Sequence, residues 1–181
     1  MIKILLYTGM RSGEALALRW QDIDFDNKII RIENTLTDVA GKHWLQPPKT
    51  VNSKRFIGMS DVLANILLKH KQKQSDKIIA LGLLYKYPEM VFTSDTGNYV
   101  DRSYLNTIFR RFVKDTNFDF ATLHTLRHCN ATLLINSGID LKIVSEHLGH
   151  CDIGVTANTY ADVLASSKAK VANMIALNLD S

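Results

Sequence analysis

Apolar residues along this chain recur at helical spacing in some stretches and alternate with polar residues in others. Apolar side chains three and four residues apart predict amphipathic helices. Start signals such as Ser12 and Ser60, and the stop signal Gly9, indicate where some of these helices begin and end. The predicted helices cover residues 2–7, 14–20, 61–79, 101–114, 123–134 and 161–177.

Two of these helices have a face that the pattern assigns to the core. In the helix that starts at Asp101, we expect the apolar side chains to point inward and the basic ones outward. The inward set is Leu105, Ile108, Phe109 and Phe112, and the outward set is Arg110, Arg111 and Lys114. In the helix that starts at residue 123, the inward set is Leu123, Leu126, Leu133 and Leu134.

A shorter period appears between the second and third predicted helices. Residues 29–36 alternate between apolar and polar side chains, as a half-buried strand does. Residues 43–46 and 55–59 are two further strand candidates, separated by turn-rich segments. We therefore expect a small three-stranded antiparallel sheet within a mainly helical α+β fold.

Length and composition are those of one globular domain or a small pair. The chain has 181 residues, of which 46% are hydrophobic and 22% charged. No apolar run approaches the ~20 residues of a membrane span, and residues 1–10 are too short a segment for a signal peptide. Cys129 and Cys151 do not make a disulfide framework, so a reduced, cytoplasmic location is expected. The net charge of +4 suits a polyanionic partner without requiring one.

The stretch from Leu123 to Tyr160 holds most of the candidate chemistry. His124 and Arg127 are three residues apart and share one face of a helix. Gly149 allows a sharp turn that leaves His150 at an exposed corner. Tyr160 follows a stretch of small polar residues, so we expect its ring to lie outside the core.

Together with Arg11, these residues resemble the catalytic half of the tyrosine recombinases, the phage-type integrases. The signature of that family is Arg, then Lys, then His-x-x-Arg, then Leu-Gly-His, then Tyr. One such motif alone is weak, but five in the right order are a strong signal. Arg11 lies in Thr-Gly-Met-Arg-Ser-Gly-Glu, and the resemblance extends from Ile2 to Val163. Lys49, in a Pro-Lys-Thr turn, matches the signature lysine better than Lys54 does.

The resemblance implies an enzyme that breaks and rejoins DNA. Tyr160 would attack the scissile phosphate and form a covalent 3′-phosphotyrosine. The other implied roles are oxygen binding by Arg11 and Arg127, hydrogen bonding by His124 and His150, and protonation of the leaving 5′ oxygen by Lys49. One of the two histidines would accept the phenolic proton, and Glu14 would orient its neighbours. No metal ion or other cofactor is then required.

The implied partner is double-stranded DNA, in the integration or excision of a mobile element. The expected contacts to the DNA backbone are Lys54, Arg55, Arg110 and Arg111. A homotetramer is expected in the complex with two DNA sites, with the segment 161–181 docked on its own domain or on a neighbour.

The resemblance also carries an expectation about domain organisation. Residues 1–181 are predicted to be a single catalytic domain that starts within or just before the first motif. The N-terminal core-binding and arm-binding domains of the family are predicted to be absent. Because fewer phosphates would then be neutralised, we expect weak DNA binding and impaired recombination by this chain alone.

Less specific interpretations of the same residues stay open. Arg11 would in one of them simply pair with Glu14, and Lys49 would lie in a solvated basic turn. A zinc site is a further alternative, because histidines and cysteines recur at chelating spacings. The residues concerned are His124, His128, Cys129, His147, His150 and Cys151. The last alternative is a DNA-binding fragment of a truncated integrase, without catalytic activity.

Overall fold

The computed structural model describes residues 1–39, 42–47 and 54–161. Within these ranges the chain forms seven α-helices and five β-strands, the mainly helical α+β architecture that the sequence predicts. The helices are α1 (Ile2–Thr8), α2 (Ser12–Leu16), α3 (Asp61–Leu81), α4 (Arg102–Val113), α5 (Leu123–Asn136), α6 (Leu141–Leu148) and α7 (Ile153–Thr159). The strands are β1 (Ile23–Asp24), β2 (Ile29–Ile32), β3 (Thr35–Val39), β4 (Lys42–Gln46) and β5 (Arg55–Gly58). None of the helices in these ranges combines the length and the apolar character needed to cross a membrane.

The strands form two antiparallel sheets rather than one. β2 lies between β1 and β5 in a three-stranded sheet, where Ile30 faces Ile23 on one side and Ile57 on the other. These three isoleucines are buried, because side chains at paired positions point to the same face of a sheet. β3 and β4 form a separate hairpin, in which Leu36 faces Leu45.

The predicted sheet is therefore wrong in its membership. The expected strand at residues 29–36 is divided into β2 and β3, and residues 43–46 pair with β3 only. The chain leaves the first sheet at residues 33–34, after which each half pairs with a different partner. Ile30, Ile32 and Leu36 are all buried, so the alternation of buried and exposed residues is the same before and after residues 33–34, where β2 and β3 separate. Periodicity alone therefore does not reveal it.

α2 is shorter than predicted, because the backbone after it pairs with a distant segment. The helix ends at Leu16 instead of Trp20. The Val91 N–H donates to the Leu18 carbonyl at 2.9 Å, and the Trp20 N–H donates to the Glu89 carbonyl at 2.9 Å. Tertiary hydrogen bonds thus override the local helical pattern.

α4 buries a narrower stripe than predicted. Leu105, Phe109 and Val113 are buried, whereas Ile108 and Phe112 are 41% and 65% exposed. The buried residues are four apart, which is the spacing of a single row along a helix. In the described part of the chain, only this row of α4 therefore belongs to the core.

Two apolar clusters form the core of the described residues. The larger one joins α1, α2, the three-stranded sheet, α3, α4 and the first residue of α5. The smaller one lies between α5, α6 and the end of α7, and consists of Ala131, Ile135, Val144, Leu148 and Tyr160. Leu133, which the pattern assigns to the core, is 62% exposed, because Ala131 and Ile135 occupy the inward face of α5.

The junction of α1 and α5 brings an early and a late part of the sequence together. α1 stops at Gly9, whose φ of 61° is a left-handed conformation that glycine adopts without strain. The Asn130 side chain of α5 donates through Nδ2 to the carbonyls of Leu6 and Tyr7, at 2.9 and 3.2 Å. A Cβ on Gly9 would lie 2.6 Å from Asn130 Oδ1. Glycine is therefore required for this close approach, which places the end of α1 beside α5.

Candidate active site

Six polar side chains from four parts of the chain meet where α1, α5 and α6 come together. They are Arg11, Glu14, Arg55, His124, Arg127 and His150, and hydrogen bonds or electrostatic effects connect them. From the sequence, five of them are predicted to serve catalysis or its support, and Arg55 is predicted to contact DNA.

Arg127 is held in place by the carbonyl ends of two helices. Its side chain is 3% exposed; Nη1 donates to the Gly9 carbonyl at 2.8 Å and Nη2 to the Leu148 carbonyl at 2.7 Å. Burial, followed by the charge of Arg11, lowers the pKa of Arg127 to about 10, so the side chain remains a cation at neutral pH. The guanidinium is therefore a fixed positive charge.

Arg11 occupies the N-cap position of α2, where Ser12 was expected. Its backbone N–H donates to Glu14 Oε2 at 2.8 Å, and its Nη1 donates to Glu14 Oε1 at 3.0 Å. The less specific interpretation, a pairing of Arg11 with Glu14, is thus present in the structure. It does not occupy the whole guanidinium, because the side chain remains 44% exposed and Nη2 reaches the Gly149 carbonyl at 3.3 Å.

Glu14 and Arg55 form a buried ion pair at the base of the site. Nη1 and Nη2 of Arg55 donate to Oε1 and Oε2 of Glu14 at 3.1 and 2.9 Å, and the side chains are 6% and 3% exposed. Burial acts to raise the pKa of Glu14, but the bonds and charges of Arg55 and Arg11 outweigh it and hold the pKa below its usual value. Glu14 is therefore a carboxylate at neutral pH. Glu14 is a single negative charge among the guanidiniums of Arg11, Arg55 and Arg127. These four side chains together therefore remain positively charged and favour the binding of an anion.

The prediction that Arg55 contacts DNA is wrong, because its side chain is buried against other parts of the protein. Besides Glu14, the guanidinium bonds through Nε to the His147 carbonyl at 2.7 Å. Arg55 looked like one more residue of a basic turn because its partners lie 41 and 92 residues away in the sequence. Its position in β5 turns the side chain into the fold instead.

Gly149 allows the arginines to reach the end of α6. It ends that helix with a φ of 68°, and a Cβ at this position would lie 2.8 Å from Arg55 Nη1. The carbonyls of Leu148 and Gly149 accept hydrogen bonds from Arg127 and Arg11 respectively. Glycine here serves both the left-handed turn and the close packing.

His124 and His150 are neutral at pH 7. Burial, followed by the positive charges of Arg127 and Arg11, lowers the pKa of His150 to about 4. Burial, followed by His128, also lowers the pKa of His124. His150 is half-buried rather than at an exposed corner, and its Nδ1 lies 2.7 Å from Thr156 Oγ1. Both imidazoles can therefore exchange hydrogen bonds without adding a charge.

Tyr160 is buried, contrary to the sequence prediction. It is the C-cap residue that follows α7, is 5% exposed, and belongs to the smaller apolar cluster. Its apolar neighbours come from α5 and α6, so the polar residues that precede it in sequence do not indicate them. Burial raises the pKa of Tyr160, an effect that the charge of Arg127 opposes. The phenol is therefore protonated at neutral pH, and it could act as a nucleophile only if another group accepted its proton.

A chain of three rings connects the tyrosine to the site. The His128 ring stands edge-on to His124, with centroids 4.5 Å apart, and edge-on to Tyr160, with centroids 5.5 Å apart. His124 and His128 are one helical turn apart on α5. His128 thus lies between a candidate phosphate ligand and the candidate nucleophile.

One predicted site residue and one predicted segment lie outside the described residues. Lys49 falls in the gap at residues 48–53, and nearly all of the segment 161–181 follows the last described position, Ala161. Lys54, Arg110 and Arg111 are described and exposed. Their contact with DNA stays a prediction.

The ligands of the alternative zinc site do not come together in the described ranges. Cys129 and Cys151 are exposed free cysteines. The one group of three metal-ligating side chains that converges within those ranges is Asp38, His43 and Asp101, which shares no residue with the proposed zinc set. Two of its members already form a hydrogen-bonded pair, with 2.7 Å between His43 Nε2 and Asp101 Oδ1.

Several residues that support the site were not singled out from the sequence. Asn130 Oδ1 accepts a hydrogen bond from His147 Nε2 at 3.2 Å, and Thr156 bonds to His150. Asn130 lies three residues after Arg127, and Thr156 lies four before Tyr160. Helical spacing from the motif residues is the signal that would have identified both.

The chain matches a family model described as the phage integrase family over residues 1–167. It is 35% identical over 173 residues to a tyrosine recombinase XerC-like protein of Caldanaerobacter subterraneus subsp. tengcongensis, covering 89% of this chain and 44% of that protein. It is 30% identical over 176 residues to the ICEBs1 integrase of Bacillus subtilis, covering 95% of this chain and 46% of that protein. The chain thus spans less than half the length of these relatives.

Solved structures have the same fold. The Tn1549 transposon integrase in complex with a circular intermediate DNA superposes with a TM-score of 0.76 at 25% identity, over 94% of this chain and 57% of that one. The XerH site-specific recombinase bound to a palindromic difH substrate gives a TM-score of 0.63 at 26% identity, over 93% and 43%. With a family model matched over most of its length, this chain belongs to the phage integrase family, that of the tyrosine recombinases.

Proposed function

We propose that this chain is the catalytic domain of a site-specific recombinase, which breaks and rejoins DNA in the integration or excision of a mobile element. The observation that carries the proposal is the group of guanidiniums around Glu14, with two neutral imidazoles and the ring of Tyr160 nearby. A phosphodiester has the negative charge and the oxygen acceptors that such a group binds. The membership of the family supports the same chemistry.

In the proposed step, the Tyr160 oxygen attacks the scissile phosphorus. The new bond joins the phosphorus to Tyr160 while the bond to the 5′ oxygen breaks, so the 3′ end of the DNA becomes a phosphotyrosine ester. The phenolic proton passes to a neutral imidazole, that of His124 or His150, and Lys49 protonates the departing 5′ oxygen. In the reverse direction a 5′ hydroxyl attacks the ester and releases the tyrosine, so no external energy source is consumed.

The two catalytic arginines have different parts in this proposal. Arg127 is fixed by its carbonyl partners and would set the position of one non-bridging oxygen. Arg11 is more exposed and would meet the phosphate as the DNA arrives. Glu14 and Arg55 would support both from below without contact to the DNA.

The size of the catalytic task explains why a whole set of residues is needed. Enzymes lower activation barriers by roughly 8–23 kcal/mol, while the loss of one preorganised donor costs about 3–4 kcal/mol. A single guanidinium would therefore be too little. Two arginines, two histidines and a lysine together are of the right order, and the arginines and the lysine supply charge that a metal ion supplies in other enzymes.

The proposed partner is double-stranded DNA, and the Tn1549 integrase structure, which has the same fold, is a complex with a circular intermediate DNA. The exposed side chains of Lys54, Arg110 and Arg111 would contact its backbone. Strand exchange would take place in a homotetramer, with the segment 161–181 docked on its own domain or on a neighbour. Residues 1–181 would act as one catalytic domain, in the cytoplasm, where the DNA substrate is found.

Covalent trapping tests this proposal. The protein is mixed with a nicked DNA whose cleavage releases a short fragment and so prevents rejoining, and is then denatured. We expect a protein–DNA adduct that Tyr160→Phe abolishes and that a metal chelator leaves unchanged. To separate weak DNA binding from absent chemistry, the assay is repeated with this chain fused to an N-terminal DNA-binding domain. No adduct from either protein would overturn the proposal and favour the non-catalytic DNA-binding alternative.

A further inference from the structure

Thr156 is a buried residue of α7 that makes a single hydrogen bond to a side chain of the site. It is fully shielded from solvent, at 0% exposure, and its Oγ1 lies 2.7 Å from His150 Nδ1. It precedes Tyr160 by one helical turn, and its own carbonyl accepts the Tyr160 backbone N–H at 3.1 Å. Thr156 therefore contacts a candidate phosphate ligand through its side chain and the candidate nucleophile through its backbone.

The direction of the Thr156 hydrogen bond follows from its surroundings. A neutral imidazole carries one proton, either on Nδ1 or on Nε2. If Nδ1 donated to Oγ1, the hydroxyl proton of Thr156 would itself need another acceptor, and among the described residues this hydroxyl forms no second hydrogen bond. A buried donor without an acceptor is unfavourable. Thr156 is therefore the donor, Nδ1 the acceptor, and the imidazole proton lies on Nε2.

A second threonine of the same helix shows the contrast. Thr159 is exposed and donates from Oγ1 to the Val155 carbonyl, one turn earlier, at 2.6 Å. This is the local bond that threonine hydroxyls ordinarily make within a helix. The hydroxyl of Thr156 turns to His150 instead, although Asp152 lies at the equivalent position one turn before it.

We propose that Thr156 is a positioning residue: its hydroxyl holds His150 in the Nε2–H form and links that imidazole to the helix that carries Tyr160. The inference rests on the proposed function in so far as Nε2–H is the donor that meets a phosphate oxygen. The same tautomer gives the two histidines different roles. An Nε2 that already carries a proton cannot accept the phenolic one, so His124 becomes the acceptor. If α7 moves away with Tyr160, His150 loses its orientation as well.

The tautomer can be measured without DNA. Two-bond nitrogen–proton correlation spectra of the whole chain at pH 7 distinguish the two neutral forms of each histidine, and His150→Gln identifies the signals of His150. We expect the Nε2–H form in the unmodified protein and in Thr156→Ser, and a mixture of both forms in Thr156→Val, which has nearly the same shape but no hydroxyl. An Nδ1–H form in the unmodified protein, or no change in Thr156→Val, would overturn the inference.

Covalent trapping then measures the consequence for the reaction. We expect Thr156→Val to slow adduct formation by about tenfold or more, as removal of the partner of a functional imidazole usually does, with DNA affinity unchanged. Thr156→Ser should recover most of the rate. Thr159→Val is the matched control, since it removes a hydroxyl of the same helix that bonds only to backbone, and its rate should stay near the original.

The two tests separate failure of the inference from failure of the proposed function. If the unmodified protein forms no adduct, the spectra still decide the role of Thr156. If it forms an adduct and Thr156→Val forms it equally fast, the positioning role is excluded while the proposed function stands. Circular dichroism melting of each variant detects a loss of folding, and if Thr156→Val is unfolded, an Nδ1–H tautomer or a slow rate in Thr156→Ser would itself contradict the inference.

Discussion

The arginine cluster and the tyrosine segment are held in opposite ways. We define the arginine cluster as Arg11, Glu14, Arg55 and Arg127, and the tyrosine segment as residues 153–160. The long-range bonds of the cluster join positions 41, 92, 118 and 138 residues apart in the sequence. The tyrosine segment is attached by the Thr156–His150 bond, which spans six residues, by the His128 ring and by the smaller apolar cluster.

This difference separates folding from chemistry. Changes in the arginine cluster remove bonds between distant parts of the chain, so they should affect the stability of the whole domain. Changes in the tyrosine segment break contacts that are confined to α5, α6 and α7, so they should affect the reaction and leave the rest of the domain folded. A rigid charged surface beside a lightly held nucleophile would let Tyr160 move during strand exchange while the arginines that bind the phosphate stay in place.

The largest effect is expected from Glu14→Gln. This variant keeps the shape of the side chain but removes the charge that two guanidiniums bind, in a site where both Glu14 and Arg55 are more than nine-tenths buried. Breaking a buried ion pair from one side costs about 3–5 kcal/mol. We expect a loss of that size in the free energy of unfolding, measured by urea denaturation.

The control for this prediction is an ion pair at the surface. Asp61→Asn removes the pair with Lys28, whose atoms lie 2.6 Å apart but whose side chains are 79% and 50% exposed. Exposed pairs contribute little because water screens them, so no measurable change is expected. Equal and small losses in the two variants would show that the arginine cluster does not stabilise the fold.

The next effect concerns the connection between the two regions, at Gly149. Gly149→Ala places a Cβ in a left-handed conformation and 2.8 Å from Arg55 Nη1. Strain of this kind costs about 1–3 kcal/mol. Gly138→Ala is the matched control, because its φ of 80° is also left-handed but nothing lies within 4 Å of the added atom. We expect a larger loss of unfolding free energy for Gly149→Ala, and identical losses would mean that Arg55 moves aside freely.

The order of motifs in the sequence identifies side chains that the structure brings together, but it says little about the residues that support them. Arg11, His124, Arg127 and His150 belong to short patterns, and the structure brings them together around the ends of α1 and α6. The pairing of Arg55 with Glu14 depends on the register of β5 against the rest of the fold, which no local pattern contains. The same is true of the apolar neighbours of Tyr160, which α5 and α6 supply.

The strands show the same limit. Alternation correctly indicates that residues 29–36 are extended with one face buried, because burial of alternate residues is a local property. It does not indicate that β2 pairs with β5 and β3 with β4, because the partner of a strand is chosen by contacts elsewhere in the chain. Local periodicity therefore predicts the kind of element and the buried residues, and tertiary pairing decides the topology.

An effect of intermediate size is expected from pH. The pKa of His150 is about 4 in the folded protein and near 6.5 in an unfolded chain, chiefly because burial disfavours its charged form. Between these values the unfolded state binds more protons, so the free energy of unfolding should rise with pH from about 4 to 6.5 and level off above that range. Urea denaturation at several pH values measures the slope. His150→Gln should make it shallower, and an unchanged slope would show that His150 does not contribute.

The smallest effect is expected from the ring contact between His128 and Tyr160. An edge-on pair of rings is worth about 0.5–1.5 kcal/mol, which corresponds to a rate change of roughly twofold to tenfold. We expect His128→Leu to slow covalent trapping within that range, and His128→Phe, which keeps a ring, to slow it less. Neither should lower the free energy of unfolding by as much as Glu14→Gln does. A loss of unfolding free energy from His128→Leu as large as that from Glu14→Gln would contradict this view. The tyrosine segment would then be held as firmly as the arginine cluster, and Tyr160 could move only if the domain unfolded.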